Sequence, residues 1–245
     1  PQFEVPGFNP ATGPIAVHGA AVGGTLCVEI HEIALASHGV TTVSPGFALL
    51  GDRVSAPATR IAVCERDHVW FLDRFRLPLR KMVGVIGVAP AGEQVGCDSP
   101  GPHGGNLDTV DIAEGSRVYL PVFTEGALLY LGDVHAVMAD GEICGTGSET
   151  QATVTLSTQL VDEEFPRSPV IETEDAWCIV RSAVTAIEAA RDAAATAVDF
   201  LRSRLSLSFD DAYMLLSLVG DHRISQLVNP LMTVRVRIPR RPLGL

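Results

Sequence analysis

The chain has 245 residues, 47% of them hydrophobic and 19% charged, with 23 Gly and 16 Pro. That length and balance fit a well-packed body with many turns and exclude a disordered chain. A formal net charge of −11 argues against nucleic acid or an anionic membrane surface as the main partner.

No apolar run approaches the ~18–20 residues that span a bilayer, and no basic segment leading into an apolar one opens the sequence. The first residue is Pro1 rather than Met, as in a fragment or a processed form. Cys27, Cys64, Cys97, Cys144 and Cys178 form an odd set without CxxC spacing, which fits reduced thiols and a cytoplasmic location.

Over residues 1–165 short apolar runs alternate with Gly, Pro, Asp and Asn. Leu26–Ile30 (LCVEI) alternates, Arg60–Val63 does so into its neighbours, and Val83–Val88 (VGVIGV) reads as a short buried strand. Val118–Val122, Ala127–Leu131 and Thr153–Leu160 are further strand candidates. Asp140-Gly141 reads as a hairpin turn, because this dipeptide tolerates positive φ. Such spacing predicts a mainly β body, a β-sandwich or barrel-like one.

After Pro169 the pattern turns helical, and residues 166–245 read as an α+β C-terminal lobe. Within 183–205, Ala186, Ala190, Ala193, Ala197, Leu201 and Leu205 recur at steps of three and four, giving one apolar helical face. Ser208 suits the N-cap of a second helix, with Asp210 and Asp211 complementing its dipole and Gly220 stopping it. Ile224–Val228, a turn at Asn229-Pro230 and Thr233–Ile238 close the lobe. The basic run Arg235–Arg241 (RVRIPRR) reads as the wet face of that last strand followed by a tail.

Chemistry concentrates between Pro100 and Thr150. His103-Gly104-Gly105-Asn106-Leu107-Asp108 carries a candidate ligand at each end, and its glycines let the backbone approach a ligand closely. The plain alternative is a glycine turn capped by Asn106 and Asp108. In Gly132-Asp133-Val134-His135 a strand would put Asp133 and His135 on one face. They would serve as two metal ligands, or as a histidine with its orienting acid; an exposed edge strand is the plain reading. Glu142 is the candidate general base, since a glutamate beside activated water can take its proton. Glu149 is a second acidic candidate, a ligand or a strand-edge charge. Cys144 is a weaker candidate nucleophile, with no histidine motif to mark a Cys–His pair. His18, His31, His38 and His68 lack clustered partners, and His222 is explained by helix-end electrostatics.

Several motifs occur in a fixed order. They include Asn9-Pro10-Ala11-Thr12-Gly13-Pro14, residues 82–90 (MVGVIGVAP), His103-Gly104-Gly105-Asn106-Leu107-Asp108-Thr109, and Leu120-Pro121-Val122-Phe123. Gly126-Ala127-Leu128, Gly132-Asp133-Val134-His135, residues 140–146 (DGEICGT), residues 212–217 (AYMLLS), residues 225–228 (SQLV) and the closing VRVRIP follow. Together they resemble the acetamidase/formamidase family of amidohydrolases from Asn9 to Arg240, nearly the whole chain.

The resemblance implies hydrolysis of a short amide, formamide or acetamide, to the carboxylic acid and ammonia, by a homo-oligomer, dimer or higher. It implies a divalent metal held by His103, Asp108, Asp133 and His135, zinc first, calcium or another ion as the alternative. Glu142 and Glu149 match acidic positions of the same site, and we assign Asn106, Gly104 and Gly105 to contact the substrate. A non-catalytic amide- or metal-binding protein and a Cys144-dependent amidase are the rival readings. Two departures stand out. The family normally has more chain, with a further strand, before the Asn-Pro motif, which would bear on a site residue or partner surface. Ala139 also stands where a glycine is common, with little effect expected.

Overall fold

The computed structural model describes residues 9–92 and 94–245. Its strands, numbered in chain order, form two antiparallel sheets. The nine-stranded sheet contains β1 (Ala11–Ile15), β3 (His38–Val43), β4 (Ala58–Cys64), β5 (His68–Phe71), β6 (Phe75–Pro78), β7 (Met82–Gly87), β8 (Gly104–Asn106), β10 (Leu129–His135) and β11 (Glu149–Thr150). The seven-stranded sheet contains β2 (Thr25–Leu35), β9 (Arg117–Pro121), β12 (Ala152–Val161), β13 (Val170–Glu172), β14 (Ala176–Ala183), β15 (Asp221–Gln226) and β16 (Met232–Pro239). Among the described residues neither sheet closes on itself, so the sandwich reading holds and the barrel does not.

Apolar side chains of the two sheets face each other. Leu26, Val28 and Ile30 of β2 pack against Val83 and Ile86 of β7 and Leu129 and Leu131 of β10, forming the core between the sheets. On the other face of the seven-stranded sheet, Val170, Trp177, Ile179, Val236 and Ile238 lie under the helices α1 (Ala186–Leu205) and α2 (Phe209–Val219). The result is three layers: sheet, sheet, helices. Helix α1 starts at Ala186, after Thr185, because Thr185 and Glu188 form a reciprocal capping box, worth roughly 1 kcal/mol. It buries Ala193, Ala197 and Leu201 as expected, together with Ala189, Val198 and Phe200. Ser208 caps α2 and Gly220 ends it. No helix of the described residues is long and apolar enough to cross a membrane.

Three expectations need correction. The chain does not turn helical directly after Pro169: β13 and β14 come first. The segment AWCIVRSA is a short apolar run that pattern alone cannot assign to strand or helix, and pairing with β13 and β16 settles it. The seven-stranded sheet thereby runs across the division at 165/166. Asp140-Gly141 is not a tight hairpin turn. It lies inside the long connection 136–148 between β10 and β11, where Gly141 bridges Gln226 in parallel. Lastly, the closing basic segment does contain a strand, but the face that carries Arg235 is not wet. Arg235 is fully buried, because the face opposite the helices is covered by Asp111 and Asp140.

Candidate metal and active site

Four segments bring the acidic residues together. Strand β10 presents Asp133 and His135, and β11 sets Glu149 directly opposite His135 in the ladder. Asp108 follows β8, where the N–H groups of Leu107 and Asp108 both donate to the Gly84 carbonyl, at 3.1 and 3.2 Å. Glu142 comes from the 136–148 connection. Asp108, Asp133 and Glu142 all adopt left-handed backbone, with φ of 41°, 56° and 45°, as does Asn9 at 58°. Each such non-glycine residue costs about 1–3 kcal/mol and persists only where its surroundings hold it.

His135 is fully buried and lies at the centre. Its Nε2 is 3.0 Å from Glu149 Oε2 and 3.6 Å from Asp133 Oδ1, yet it makes no well-aligned hydrogen bond. The other ring nitrogen, Nδ1, is 3.2 Å from Met138 Sδ, a weak acceptor. Burial disfavours charge on His135, but Glu149, Asp133 and Asp108 outweigh it and hold its pKa well above the ordinary imidazole value.

The carboxyls crowd one another. Burial, and then the charge of Asp108, push Glu142 up to about 10. Burial raises Asp108 to about 6, against the opposing pull of His135. Each acts on the other, and of the two it is Glu142 that is pushed higher. Glu149 is also raised, by burial first, with His135 pulling the other way; its Oε1 accepts from the Gly147 N–H at 2.7 Å.

Three carboxamides surround the two aspartates. Asn9 Nδ2 donates to Asp133 Oδ2 at 3.0 Å, and Asn229 Nδ2 donates to Asp108 Oδ2 at 2.7 Å. Asn106 lies between, its amide nitrogen turned as the network requires, and donates to Asp108 Oδ2 at 2.8 Å and Asp133 Oδ2 at 3.2 Å. Gly84 makes the room. A Cβ there would stand 2.5 Å from Asp108 Oδ1 and 2.9 Å from Asp133 Oδ2.

Ligand atoms of Asp108, Asp133 and His135 lie within 4.8 Å of one another, and so do those of His135, Glu142 and Glu149. Atoms sharing one ion at ~2.0–2.2 Å sit at comparable separations. The donor set fits a divalent cation. It offers one imidazole nitrogen and several carboxylate oxygens, and a cation would relieve their mutual repulsion. His103 falls outside both groups. It is buried at the start of β8, its Nε2 has no hydrogen-bond partner, and its carbonyl accepts from the Val88 N–H at 3.0 Å. Gly104 and Gly105 pair with Gly87 and Ile86, and the close approach they permit is to the backbone of Ile86 and of the Ser99-Pro100 loop. The Cys144 thiol donates to Thr146 O at 3.3 Å; among the described residues no histidine hydrogen-bonds it.

Sequence reasoning missed the roles of Gly84, Asn9, Asn229 and Met138. Glycine in mid-strand is the signal for Gly84. Asn9 and Asn229 each precede a proline, a pattern that marks a turn without pointing to a carboxylate partner.

A model described as the Acetamidase/Formamidase family matches residues 95–176, the segment that holds every candidate residue from His103 to Glu149. The fold superposes on an acetamidase from Bacillus halodurans with a TM-score of 0.93 at 45% identity, over 96% of this chain and 80% of that one. A predicted acetamidase/formamidase from Thermoanaerobacter tengcongensis gives 0.93 at 38% identity, over 96% and 78%. Among curated proteins, an acetamidase from Mycolicibacterium smegmatis is 50% identical over 48 residues, which span 19% of this chain and only 12% of that relative. Matched in fold along nearly its whole length, and in sequence through the segment that carries the acidic cluster, the chain belongs to the acetamidase/formamidase family.

Proposed function

We propose that this chain hydrolyses a short aliphatic amide, formamide or acetamide, to the carboxylate and ammonia. The observation that carries the reading is the group of four carboxyls, Asp108 and Glu142 buried and Asp133 and Glu149 half-buried, around the imidazole of His135. The relatives named as acetamidases support the choice of substrate class.

We assign Asp108, Asp133 and His135 to hold a divalent metal, zinc first, with Glu149, which faces the same Nε2 of His135, as a further carboxylate ligand; His103 belongs to neither group of donors and is left out of the set. Such an ion, when bound, supplies a Lewis acid for the amide carbonyl and lowers the pKa of water. Glu142 is assigned to take a proton from attacking water and pass it to the departing nitrogen; a bound cation would draw its carboxyl, raised by burial and by Asp108, back toward the ionised form that a base requires. Asn106, between both aspartates, is assigned to hold the substrate amide, with Gly104 and Gly105 forming the backbone floor beside it. A substrate this small needs a tight pocket to discriminate chain length, since each methylene is worth only about 1–3 kcal/mol. Exposed Tyr213, Met214 and Leu218 on α2 support an assembly of copies.

The test is ammonia release from formamide, acetamide and propionamide by purified protein of known metal content. Release that stops with a chelator and returns with a divalent ion supports the reading. No release from any of the three, with metal present, rejects it. Glu142→Gln should keep the metal and lose most of kcat; an unchanged kcat removes Glu142 as the base.

A further inference from the structure

Arg235 is an arginine fully buried in β16, between Val234 and Val236. A buried guanidinium is costly unless every donor is paired, and here the pairing is specific. Nε donates to Asp111 Oδ2 at 2.5 Å, and Nη2 donates to Asp140 Oδ1 and Oδ2 at 2.9 and 3.1 Å. Nη1 donates to Ser225 Oγ at 3.2 Å, and the same hydroxyl accepts from Thr109 Oγ1 at 2.9 Å. Asp111 lies just beyond Asp108, and Asp140 just before Glu142. The arginine therefore grips both loops whose carboxyls meet in the site. Backbone bonds reinforce the grip: Gly141 N–H donates to Ser225 O at 2.9 Å, and Leu227 N–H donates to Gly141 O at 3.1 Å.

The two arms are not equivalent. Asp111 is also approached by Arg237, at 3.8 Å. Asp140 has Arg235 as its only charged partner among the described residues. Glu142, close behind Asp140, sits in left-handed backbone at φ 45°, a conformation that relaxes unless it is held. We propose that Arg235 is a positioning residue that acts through Asp140. It clamps the turn bearing Glu142 against the Asp108 loop and so sets the reach of the Glu142 carboxyl into the site. The proposal rests on the reading of Glu142 as the base.

The test compares Asp140→Asn, Arg235→Lys, Arg235→Gln and the double variant Asp140→Asn/Arg235→Gln in the full chain. Three quantities are read: steady-state ammonia release, metal retained after gel filtration, and melting temperature. Asp140→Asn should lower kcat about 10–100-fold, the size typical of lost supporting contacts, with KM and retained metal unchanged. Arg235→Lys keeps the charge but not the fork that spans two partners, so it should lower kcat in the same way; it decides the question alone if Asp140→Asn fails to fold. The double variant should be no slower than the slower single, because the two residues act in one chain of contacts. An unchanged kcat in Asp140→Asn, beside an inactive Glu142→Gln, overturns the proposal and leaves the base assignment standing. A kcat that falls only in step with melting temperature and retained metal also overturns it, since Arg235 then serves stability alone. An active Glu142→Gln rejects the base reading itself, whatever Asp140→Asn does.

Discussion

His135 and Glu149 are register partners in the β10–β11 ladder, and their side chains meet at 3.0 Å between Nε2 and Oε2. Strand pairing thus fixes the distance between an imidazole and a carboxylate before any ion is bound. Ligand geometry imposed by a sheet resists loosening better than geometry imposed by a loop. His135→Ala should abolish turnover and lower bound metal, as read by elemental analysis beside ammonia release. A variant that kept full activity would remove the metal assignment.

Gly84 gives a sharper test of how the aspartates are placed. Its bare Cα lies under Asp108 Oδ1 and Asp133 Oδ2, where a methyl group would stand at 2.5 and 2.9 Å. Gly84→Ala should therefore lower melting temperature by an amount equivalent to about 1–3 kcal/mol, the usual cost of overpacking. Activity should fall at least tenfold, because relief requires the carboxylates to move. Wild-type kcat and metal content in this variant would show that the aspartates need no such cradle.

Asn229 reaches Asp108 from the turn between β15 and β16. Its own backbone N–H is pinned to Gln226 Oε1 at 2.9 Å, so the residue is held by its backbone as well as by its side chain. Asn229→Ala should weaken metal affinity or activity about 10–100-fold, the range for groups that orient a ligand. Metal titration by calorimetry would measure it, and an unchanged affinity together with unchanged kcat would dismiss the contact as incidental.

The acidic cluster also sets a direction for pH. Asp108 is raised from 3.8 to about 6 and Glu142 from 4.5 to about 10, and His135 is raised as well. A folded-state pKa above the unfolded one means that the folded chain binds the proton more tightly. Its stabilising share is complete below the unfolded pKa and is lost as pH rises through the folded one. Chelator-treated protein should therefore melt at progressively lower temperature from roughly pH 5 to pH 9. A divalent ion should restore most at the alkaline end, because its ligands must give up their protons. A melting temperature independent of pH over that range, without metal, would contradict this account.

Much of this is legible in the residues themselves. Asp133 and His135 are legible as a pair from their spacing and do meet, although left-handed Asp133 interrupts the alternation, and Ser208 and Gly220 mark the ends of α2 by their cap chemistry. Asp108, Glu142 and Glu149 stand out as acids near glycines and histidines, and all three converge on His135. Contacts made across long separations are not legible in this way. Arg235 reads as wet because alternation says which residues share a face but not what covers that face. Asn229 reads as an ordinary turn residue because its partner, Asp108, is brought near only by folding.

Asn9, Asp108, Asp133 and Glu142 share left-handed backbone, and this sets stability against chemistry at the same positions. Glycine adopts that conformation without penalty, so glycine at any of the four would relax the chain while deleting a carboxyl or its carboxamide support. Selection for heat resistance alone would drift toward such replacements and yield a sturdier but silent protein. Any thermostable version that keeps its activity has to gain its stability elsewhere, in the helices or the sheet core, and leave these four residues under tension.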